Sequence, residues 1–473
     1  MKKRVYDKYM SICNLNKLKP IPQIERFINN SIEEVEKNSS SSDNINNNLK
    51  PLSFNLPGHI PENYKSKLVL EDLHPLIGVF YIIGINIIDI DLSYNKLGQK
   101  CGVMFEKMLE NTIHLKSLNL KSNMLDDLVC VSLVKVILNK NKKLEYLNLN
   151  SNEIGNLGIM EISKLVLQIN TLYYLDIGRN HYDWDGLIAI NYVLKPLKKN
   201  KKLLNYNKTK LNDNMLYKQD NKVFDLNNDS KNNIISKSDL MIETNEIDES
   251  MFSYLPKLRV LNVDDPYYAE SDQDFFTHFG KMLQCNLHLK KLSLRFHKLK
   301  FDGCKILFHY LENNSSLRVL DLSNNQICFQ GIQYISNFLE DKIRKDEKKR
   351  PSNLISLNLS GNRLHDKGAE LLSKGIERNS TLSYIDLTDN RIKEEGLLHL
   401  YNGILNNKTI QHLKIFKGNY WGRQAIDAYK ILIDNKDNFY TDFKIYNTNL
   451  KDNVFTDICY NEDYDIDVKE YLV

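Results

Sequence analysis

The sequence predicts an α/β solenoid shaped as a horseshoe, with parallel strands on its concave face and helices on its convex face. Two observations support this prediction. The pattern L-x-x-L-x-L-x-x-N-x-L recurs along the chain, and apolar residues at helical spacing follow its copies. One such unit cannot bury its apolar side alone, so neighbouring units are expected to stack.

The asparagine of this pattern sets the repeat length. Within residues 95–180 and 325–390 it recurs every 28 or 29 residues, except for one interval of 37 that contains the charged insert 341–351. Degenerate copies bring the prediction to ten units, with a closing strand that contains Tyr440, Phe443 and Ile445. The asparagines are Asn95, Asn123, Asn152, Asn180, Asn325, Asn362 and Asn390, and the degenerate copies have Pro266, His297 and Gly418 in that place.

The spacing of apolar residues changes at the asparagine of each unit. Before it, the alternation L-x-L predicts a short strand with one buried face. Six residues after it, six of the units have a glycine, as at Gly368 and Gly396, and apolar residues at helical spacing follow. Strand, turn, helix and turn are therefore expected to repeat along the chain.

The asparagine itself is expected to be structural. At the turn that leaves the strand, backbone groups face the interior, and each one left unpaired costs roughly 1–3 kcal/mol. An asparagine side chain offers two donors and one acceptor to such groups. We therefore expect a ladder of asparagine side chains, interrupted at Pro266, His297 and Gly418.

These residues resemble those of leucine-rich repeat proteins of the ribonuclease-inhibitor-like class, whose units of this length contain a full helix. The resemblance covers roughly residues 85–450. It implies a leucine-rich repeat solenoid with a curved surface that binds protein. Members of the family include nuclease inhibitors, activators of the Ran GTPase, tropomodulin-like actin binders, nucleotide-binding innate sensors and ciliary or flagellar scaffolds.

The repeats divide the chain into five predicted segments. The insertion is rich in Asn, Lys and Asp without a sustained period, so we expect it to be disordered. The segments are residues 1–50, an N-terminal helical segment and low-complexity linker; 51–84, an N-terminal cap; 85–203, repeats 1–4; 204–250, the insertion; and 251–473, repeats 5–10 and a C-terminal cap.

The N-terminal segment has two interpretations. Short helices are expected within residues 6–36, broken at Pro20 and Pro22. The set Tyr6, Tyr9, Cys13, Pro20 and Ile24 is similar to the segment before the repeats in some ciliary and cytoskeletal members of the family. The alternative is a helical cap on the first repeat.

Composition indicates a soluble, folded protein, with 42% hydrophobic and 26% charged residues. A net charge of +4 over 473 residues demands neither nucleic acid nor an acidic membrane as a partner. The seven scattered cysteines form no CxxC pair, which is typical of a reducing compartment. The most apolar run, residues 76–85, is too short to span a membrane. We therefore predict a cytoplasmic protein, with a nuclear or cytoskeletal location as alternatives.

No catalytic pattern is present in the sequence. The eleven histidines are dispersed, and HExxH, GxSxG and GxxxxGK[ST] are all absent. We predict no catalytic residue, no metal site, no cofactor and no small-molecule substrate. Acidic residues that recur at one strand position, such as Asp176 and Asp386, predict a polar concave face. The basic run at 195–202 is expected to end a helix, with a nuclear import signal as the alternative.

Two functions follow from the resemblance. The first is a non-enzymatic scaffold or adaptor, cytoskeletal or ciliary in setting, that binds a protein partner on its concave surface. The alternative is a GTPase-activating protein of the Ran type. That family usually carries a long acidic tail, whereas NEDYDIDVKEYLV in this chain is only mildly acidic. The scaffold is therefore the preferred prediction.

The predicted binding residues follow from strand geometry. Side chains alternate across a strand, so the residues between buried leucines face the concave surface. Tyr146 and Tyr174 are then expected about 5 Å apart on adjacent strands. Exposed tyrosine and arginine are enriched in interface hot spots; the alternative is that these rings only pack on one another. The predicted partner-binding residues are Tyr146, Tyr174, Asp176, Arg179, Tyr384, His412, Lys414 and Phe416.

Overall fold

The structure is a computed structural model. It describes residues 2–39, 51–61, 63–195, 256–267, 273–340, 352–450 and 453–460. The insertion predicted at 204–250 and the charged insert at 341–351 lie outside the described residues.

The predicted α/β solenoid is confirmed. Twelve strands among the described residues form one sheet in chain order, each parallel to the next. Leu147 is aligned with Leu118 and Leu175, and all three are buried, as the period-two pattern predicts. The strands are β1 (Leu52–Asn55), β2 (Ile87–Asp91), β3 (Ser117–Asn119), β4 (Tyr146–Asn148), β5 (Tyr174–Asp176), β6 (Val260–Asn262), β7 (Lys291–Ser293), β8 (Val319–Asp321), β9 (Ser356–Asn358), β10 (Tyr384–Asp386), β11 (His412–Lys414) and β12 (Tyr440–Thr441).

Helices alternate with these strands, and each packs against its neighbours along the array. After the two N-terminal helices, α1 (Lys2–Leu15) and α2 (Pro22–Ser39), they are α3 (Leu73–Ile83), α4 (Gly102–Leu109), α5 (Asp127–Lys140), α6 (Asn156–Gln168), α7 (Trp184–Leu194), α8 (Gln273–Cys285), α9 (Lys300–Leu311), α10 (Phe329–Leu339), α11 (His365–Glu377), α12 (Glu394–Asn406) and α13 (Arg423–Asn435).

One helical glycine shows how closely the helices pack. A Cβ added to Gly375 of α11 would lie 2.8 Å from the carbonyl oxygen of Ser336 in α10. A larger residue at this position would therefore push the two helices apart. Of the basic run 195–202, only Lys195 is described, and it directly follows α7, as expected for a residue that ends the helix.

The predicted asparagine ladder is present. The side-chain oxygen of Asn362 accepts hydrogen bonds from the backbone nitrogens of Asn325 (3.0 Å) and Ile327 (2.9 Å) in the preceding repeat. Its amide nitrogen donates to the carbonyl oxygens of Leu322 (3.1 Å) and Leu359 (2.8 Å). One side chain therefore satisfies backbone groups in two successive turns.

The prediction that the ladder is interrupted at Gly418 is wrong. Asn419 takes the place instead: its amide nitrogen donates to the carbonyl oxygens of Leu387 (3.0 Å) and Ile415 (2.7 Å), and its oxygen accepts from Ile392. The turn contains one more residue than the pattern allows. Gly418 adopts a φ of +67°, a conformation that glycine reaches without strain, and this accommodates the extra residue.

The prediction is also wrong at His297, where the ladder is continued by a histidine. Nε2 of the buried imidazole lies 2.9 Å from the carbonyl oxygen of Val263, the equivalent acceptor in the preceding repeat. A carbonyl oxygen can only accept, so Nε2 carries the proton and donates it. Burial lowers the pKa of His297 to about 4, which keeps the ring neutral.

A second asparagine ladder, which the sequence analysis missed, lies at the opposite end of the strands. The oxygen of Asn314 accepts from the backbone nitrogens of Ser316 (3.0 Å) and Leu317 (2.8 Å), and its amide nitrogen donates to the carbonyl oxygen of Asn286 (3.2 Å). Its sequence signal is N-x-x-L or N-x-x-I before the strand. The pattern occurs at Asn141, Asn286, Asn314, Asn379 and Asn407.

The N-terminal segment packs against the first part of the array. Tyr9 and Cys13 of α1 are buried, and the hydroxyl of Tyr9 accepts a hydrogen bond from the backbone nitrogen of Ile21 (2.7 Å). Gly78 of α3 leaves room for the side chain of Ile12, which lies where a Cβ would otherwise be. This packing agrees with the helical cap, and β1 extends the sheet beyond β2.

The C-terminal end differs from the predicted closing strand. Tyr440 lies in β12, which pairs with β11. Phe443 and Ile445 instead belong to β13 (Phe443–Leu450), which pairs antiparallel with β14 (Asn453–Tyr460). The alternating pattern therefore predicted extended backbone at 443–445 correctly but assigned it to the wrong sheet.

Candidate protein-binding surface

The face of the sheet opposite the helices is termed the concave surface below, and Tyr146 and Tyr174 form a pair on it. The two residues are aligned on β4 and β5. Their rings are stacked, with centroids 4.1 Å apart and an interplanar angle of 15°. Burial raises the pKa of both hydroxyl groups, so both remain neutral near pH 7. The expected proximity of the two rings is confirmed, and both remain partly exposed.

Asp176 lies next to this pair but is only 6% exposed. Its Oδ1 atom accepts hydrogen bonds from Nδ2 of Asn150 (2.9 Å) and from the backbone nitrogen of Gly178 (3.1 Å). Burial raises its pKa, and these hydrogen bonds oppose that change. The carboxylate therefore holds the turn after β5.

The same contact recurs in other repeats, and the sequence analysis missed it. Asp321 accepts from the backbone nitrogen of Ser323 (2.9 Å), and Asp386 accepts from that of Thr388 (3.0 Å). In both cases the acceptor is two residues before the donor, as in an Asx turn. The row of acidic residues thus has a local structural role at the ends of the strands.

Arg179 is an exposed cation five residues after Tyr174. It occupies the turn after β5 with a φ of 54°, and its backbone nitrogen donates to the carbonyl oxygen of Asp264 (2.7 Å). This backbone hydrogen bond to the next repeat fixes the turn, whereas the side chain is exposed.

The remaining predicted residues form a second group on β10 and β11. Tyr384 is aligned with His412, but Tyr384 is only 4% exposed. His412 stacks on Tyr440, with ring centroids 4.9 Å apart. Tyr440 is 51% exposed and was not among the predicted binding residues. Its register with His412 on β12 is the signal that could have identified it.

Lys414 and Phe416 continue this second group. Burial raises the pKa of Asp386, and Lys414, which is aligned with it, partly opposes that change. Phe416 is half-buried and lies 6.4 Å from the ring of Trp421, so it packs on the end of the core. Strands β6–β9 separate this group from the tyrosine pair, so the structure does not bring the eight residues into one site.

Metal-binding clusters and membrane-spanning helices are both absent from the described residues. There, no group of three or more His, Cys, Asp or Glu side chains could hold a metal ion. Nor is any helix in the described part of the chain both long and apolar enough to cross a membrane.

Comparison with known families finds similarity in the repeats. A family model described as Leucine Rich repeat matches residues 140–163, 313–336, 350–373 and 378–400. Protein CARMIL of Dictyostelium discoideum is 28% identical over 137 residues, which cover 24% of this chain and 13% of that protein. The match therefore spans only a small part of that relative's length.

Two solved structures match this chain at low sequence identity. The leucine-rich repeat-containing protein LegL7 from Legionella pneumophila is 17% identical, with a TM-score of 0.41, over 82% of this chain and 99% of that chain. Leiomodin-1 Actin-Binding Site 2 is 16% identical, with a TM-score of 0.29, over 35% of this chain and 90% of that chain.

Proposed function

The chain is a leucine-rich repeat protein, and from this premise we propose that it is a non-enzymatic scaffold or adaptor that binds a protein partner on its concave surface. The observation that carries the proposal is the stacked pair Tyr146 and Tyr174, with the exposed Arg179 in the turn that follows. Tyrosine and arginine are the residue types most enriched in interface hot spots.

The stacked arrangement favours binding for an energetic reason. Association costs roughly 0.5–1.5 kcal/mol for each flexible side chain that must be immobilised. Tyr146 and Tyr174 already restrict each other, because their rings are 4.1 Å apart. The hydroxyl of Tyr146 also accepts a hydrogen bond from Nδ2 of Asn148 (3.3 Å), which restricts that ring further. A partner would therefore meet a preorganised aromatic surface.

The double substitution Tyr146→Ala and Tyr174→Ala tests this proposal. A partner is first captured by the intact chain from its native cell, and its affinity is then measured by calorimetry. The double variant should bind it about 2 kcal/mol more weakly, roughly 30-fold in Kd. Its thermal stability should stay within about 1 kcal/mol of the parent, because both rings lie at the surface.

A matched control removes two exposed tyrosines elsewhere. Tyr81 on α3 is 70% exposed and Tyr420 before α13 is 61% exposed. The variant Tyr81→Ala and Tyr420→Ala should bind the partner with parental affinity. Unchanged affinity in the folded Tyr146 and Tyr174 variant would refute the concave surface as the binding site.

The cytoskeletal setting and the absence of enzymatic activity need separate assays. The cytoskeletal setting rests on the sequence resemblance, and co-sedimentation with actin filaments tests it. The intact chain should pellet with filaments, and no pelleting would remove actin as the partner. A GTP hydrolysis assay with Ran tests the alternative function: stimulation by catalytic amounts of the chain would overturn the non-enzymatic role.

A further inference from the structure

A row of side chains, termed the edge row, runs along the array just before the strands. Each member is the residue after the first leucine or isoleucine of the L-x-x-L pattern, and consecutive members are joined by backbone hydrogen bonds. The carbonyl oxygen of Arg259 accepts from the nitrogen of Lys290 (2.8 Å), and that of Lys290 accepts from Arg318 (2.8 Å). The row is Ile88, Lys116, Glu145, Tyr173, Arg259, Lys290, Arg318, Ile355, Ser383 and Gln411.

Three consecutive members of this row are cations. Arg259, Lys290 and Arg318 directly precede the neighbouring strands β6, β7 and β8, and adjacent strands are about 4.8 Å apart. Earlier in the row, Lys116 is neutralised by Glu145, with 2.8 Å between Nζ and Oε1. By contrast, no ion pair to a carboxylate is found for the three cations within the part of the chain that the structure describes. The charge of this part of the row is therefore uncompensated there.

Folding alone gives no reason to keep three like charges together. Two unit charges about 5 Å apart repel each other by roughly 1 kcal/mol even in water. Burial lowers the pKa of Lys290, and Arg318 and Arg259 lower it further. An anion bound beside the row would relieve this repulsion.

The row is also partly preorganised. Lys290 and Arg318 are half-buried, and Nη1 of Arg318 donates to the carbonyl oxygen of Asn353 (3.1 Å). This contact restricts the guanidinium before any ligand arrives, which reduces the entropy lost on binding. The side chains that flank the cations, Tyr173 and Ile355, are apolar in large part and suit contacts with a polypeptide.

We propose that Arg259, Lys290 and Arg318 form a docking site for an acidic segment of a partner protein. Carboxylates three or four residues apart on a helix lie about 5–6 Å apart, close to the spacing of the three cations. A nucleic acid is a poorer fit, because tight binding of a phosphate backbone takes many cationic contacts. The inference is independent of the proposed concave surface, since it concerns a different row of residues.

The test uses the full chain and a fluorescein-labelled peptide of ten glutamates, with fluorescence anisotropy at low salt. The variant Arg259→Gln with Lys290→Gln should bind the peptide at least tenfold more weakly, and parental binding should weaken as salt is raised. The matched control is Lys116→Gln, in the same row but already paired with Glu145. It should bind within twofold of the parent.

Thermal stability distinguishes a binding role of the three cations from a role in holding the fold. Since the substitutions remove repulsion, the double variant should melt no lower than the parent. If it fails to fold, Arg259→Gln alone, at an exposed side chain, should still weaken peptide binding at least threefold. The proposal is overturned if the parent does not bind the peptide, or if the folded variants bind it as tightly as the parent. The proposal is also overturned if a labelled single-stranded oligonucleotide binds more tightly than the peptide and this binding requires the three cations.

Discussion

The side-chain oxygen of Asn362 accepts a hydrogen bond from the backbone nitrogen of Asn325 in the preceding repeat, 3.0 Å away. The equivalent bond from Asn123 to Asn152 is 2.8 Å long. The first pair is 37 residues apart in the chain and the second 29, because the charged insert lies within the longer interval. The ladder therefore depends on the geometry of successive turns, and extra residues between those turns leave it intact.

Replacement of Asn362 by Leu should destabilise the array by roughly 1–3 kcal/mol, because buried backbone groups in two turns lose their partners. Denaturant unfolding measures this change. Pro266→Leu is the comparison, since proline at that position contributes no side-chain hydrogen bond, and its effect should be much smaller. An unfolding free energy of Asn362→Leu equal to that of the parent would contradict the structural role of the ladder.

His297 makes the stability of the array depend on pH. Its pKa falls from about 6.5 in the unfolded chain to about 4 in the folded protein. The folded state therefore binds fewer protons in this window, and the contribution of His297 to stability is lost as the pH falls from 6.5 towards 4. Between pH 7 and pH 5 this loss should amount to roughly 2 kcal/mol.

His297→Asn isolates this effect, because asparagine can keep the hydrogen bond to Val263 but does not titrate. The control is needed because burial raises the pKa of the nearby Asp264 to about 6, and a raised carboxyl pKa gives stability that falls as the pH rises. Between pH 4 and pH 6, the effect of Asp264 on stability is therefore opposite in sign to that of His297. On acidification, the parent should lose stability relative to the variant. Parallel pH profiles for the two proteins would rule out a neutral, buried His297.

The second asparagine ladder offers a test with a neighbouring control. Asn314→Ala removes the acceptor for two backbone nitrogens and should destabilise the array by roughly 1–3 kcal/mol. Asn313 is adjacent and exposed, so Asn313→Ala should change the unfolding free energy by less than about 0.5 kcal/mol. Equal effects of the two substitutions in denaturant unfolding would show that the second ladder contributes little.

The fold could be predicted from sequence because its signals are local and repeated. Leu147 and Asn152 are recognised by spacing alone, and every further copy supports the same interpretation. Asn419 was missed because a fixed spacing cannot show that Gly418 accommodates an extra residue. His297 was predicted to interrupt the ladder because spacing alone could not show that its buried imidazole reaches the carbonyl oxygen of Val263.

The candidate site was only partly predictable for a different reason. Strand alternation correctly places Tyr146 beside Tyr174, since this follows from backbone geometry. Exposure depends on the neighbouring side chains as well, so alternation could not show that Tyr384 is covered while Tyr440 is open.

Two substitutions of Asp176 distinguish a structural role of its carboxylate from a role in partner binding. Asp176→Asn keeps an oxygen that can accept from Gly178, and it removes a charge that burial disfavours, as the raised pKa shows. Its stability at pH 7 should match or exceed that of the parent, whereas Asp176→Val should cost roughly 1–3 kcal/mol because the turn loses its acceptor. The affinity of Asp176→Asn for the captured partner should also stay within twofold of the parent. A large loss of affinity in this stable variant would instead place the carboxylate in the interface, and equal stability of the Val variant and the parent would remove its role in the turn.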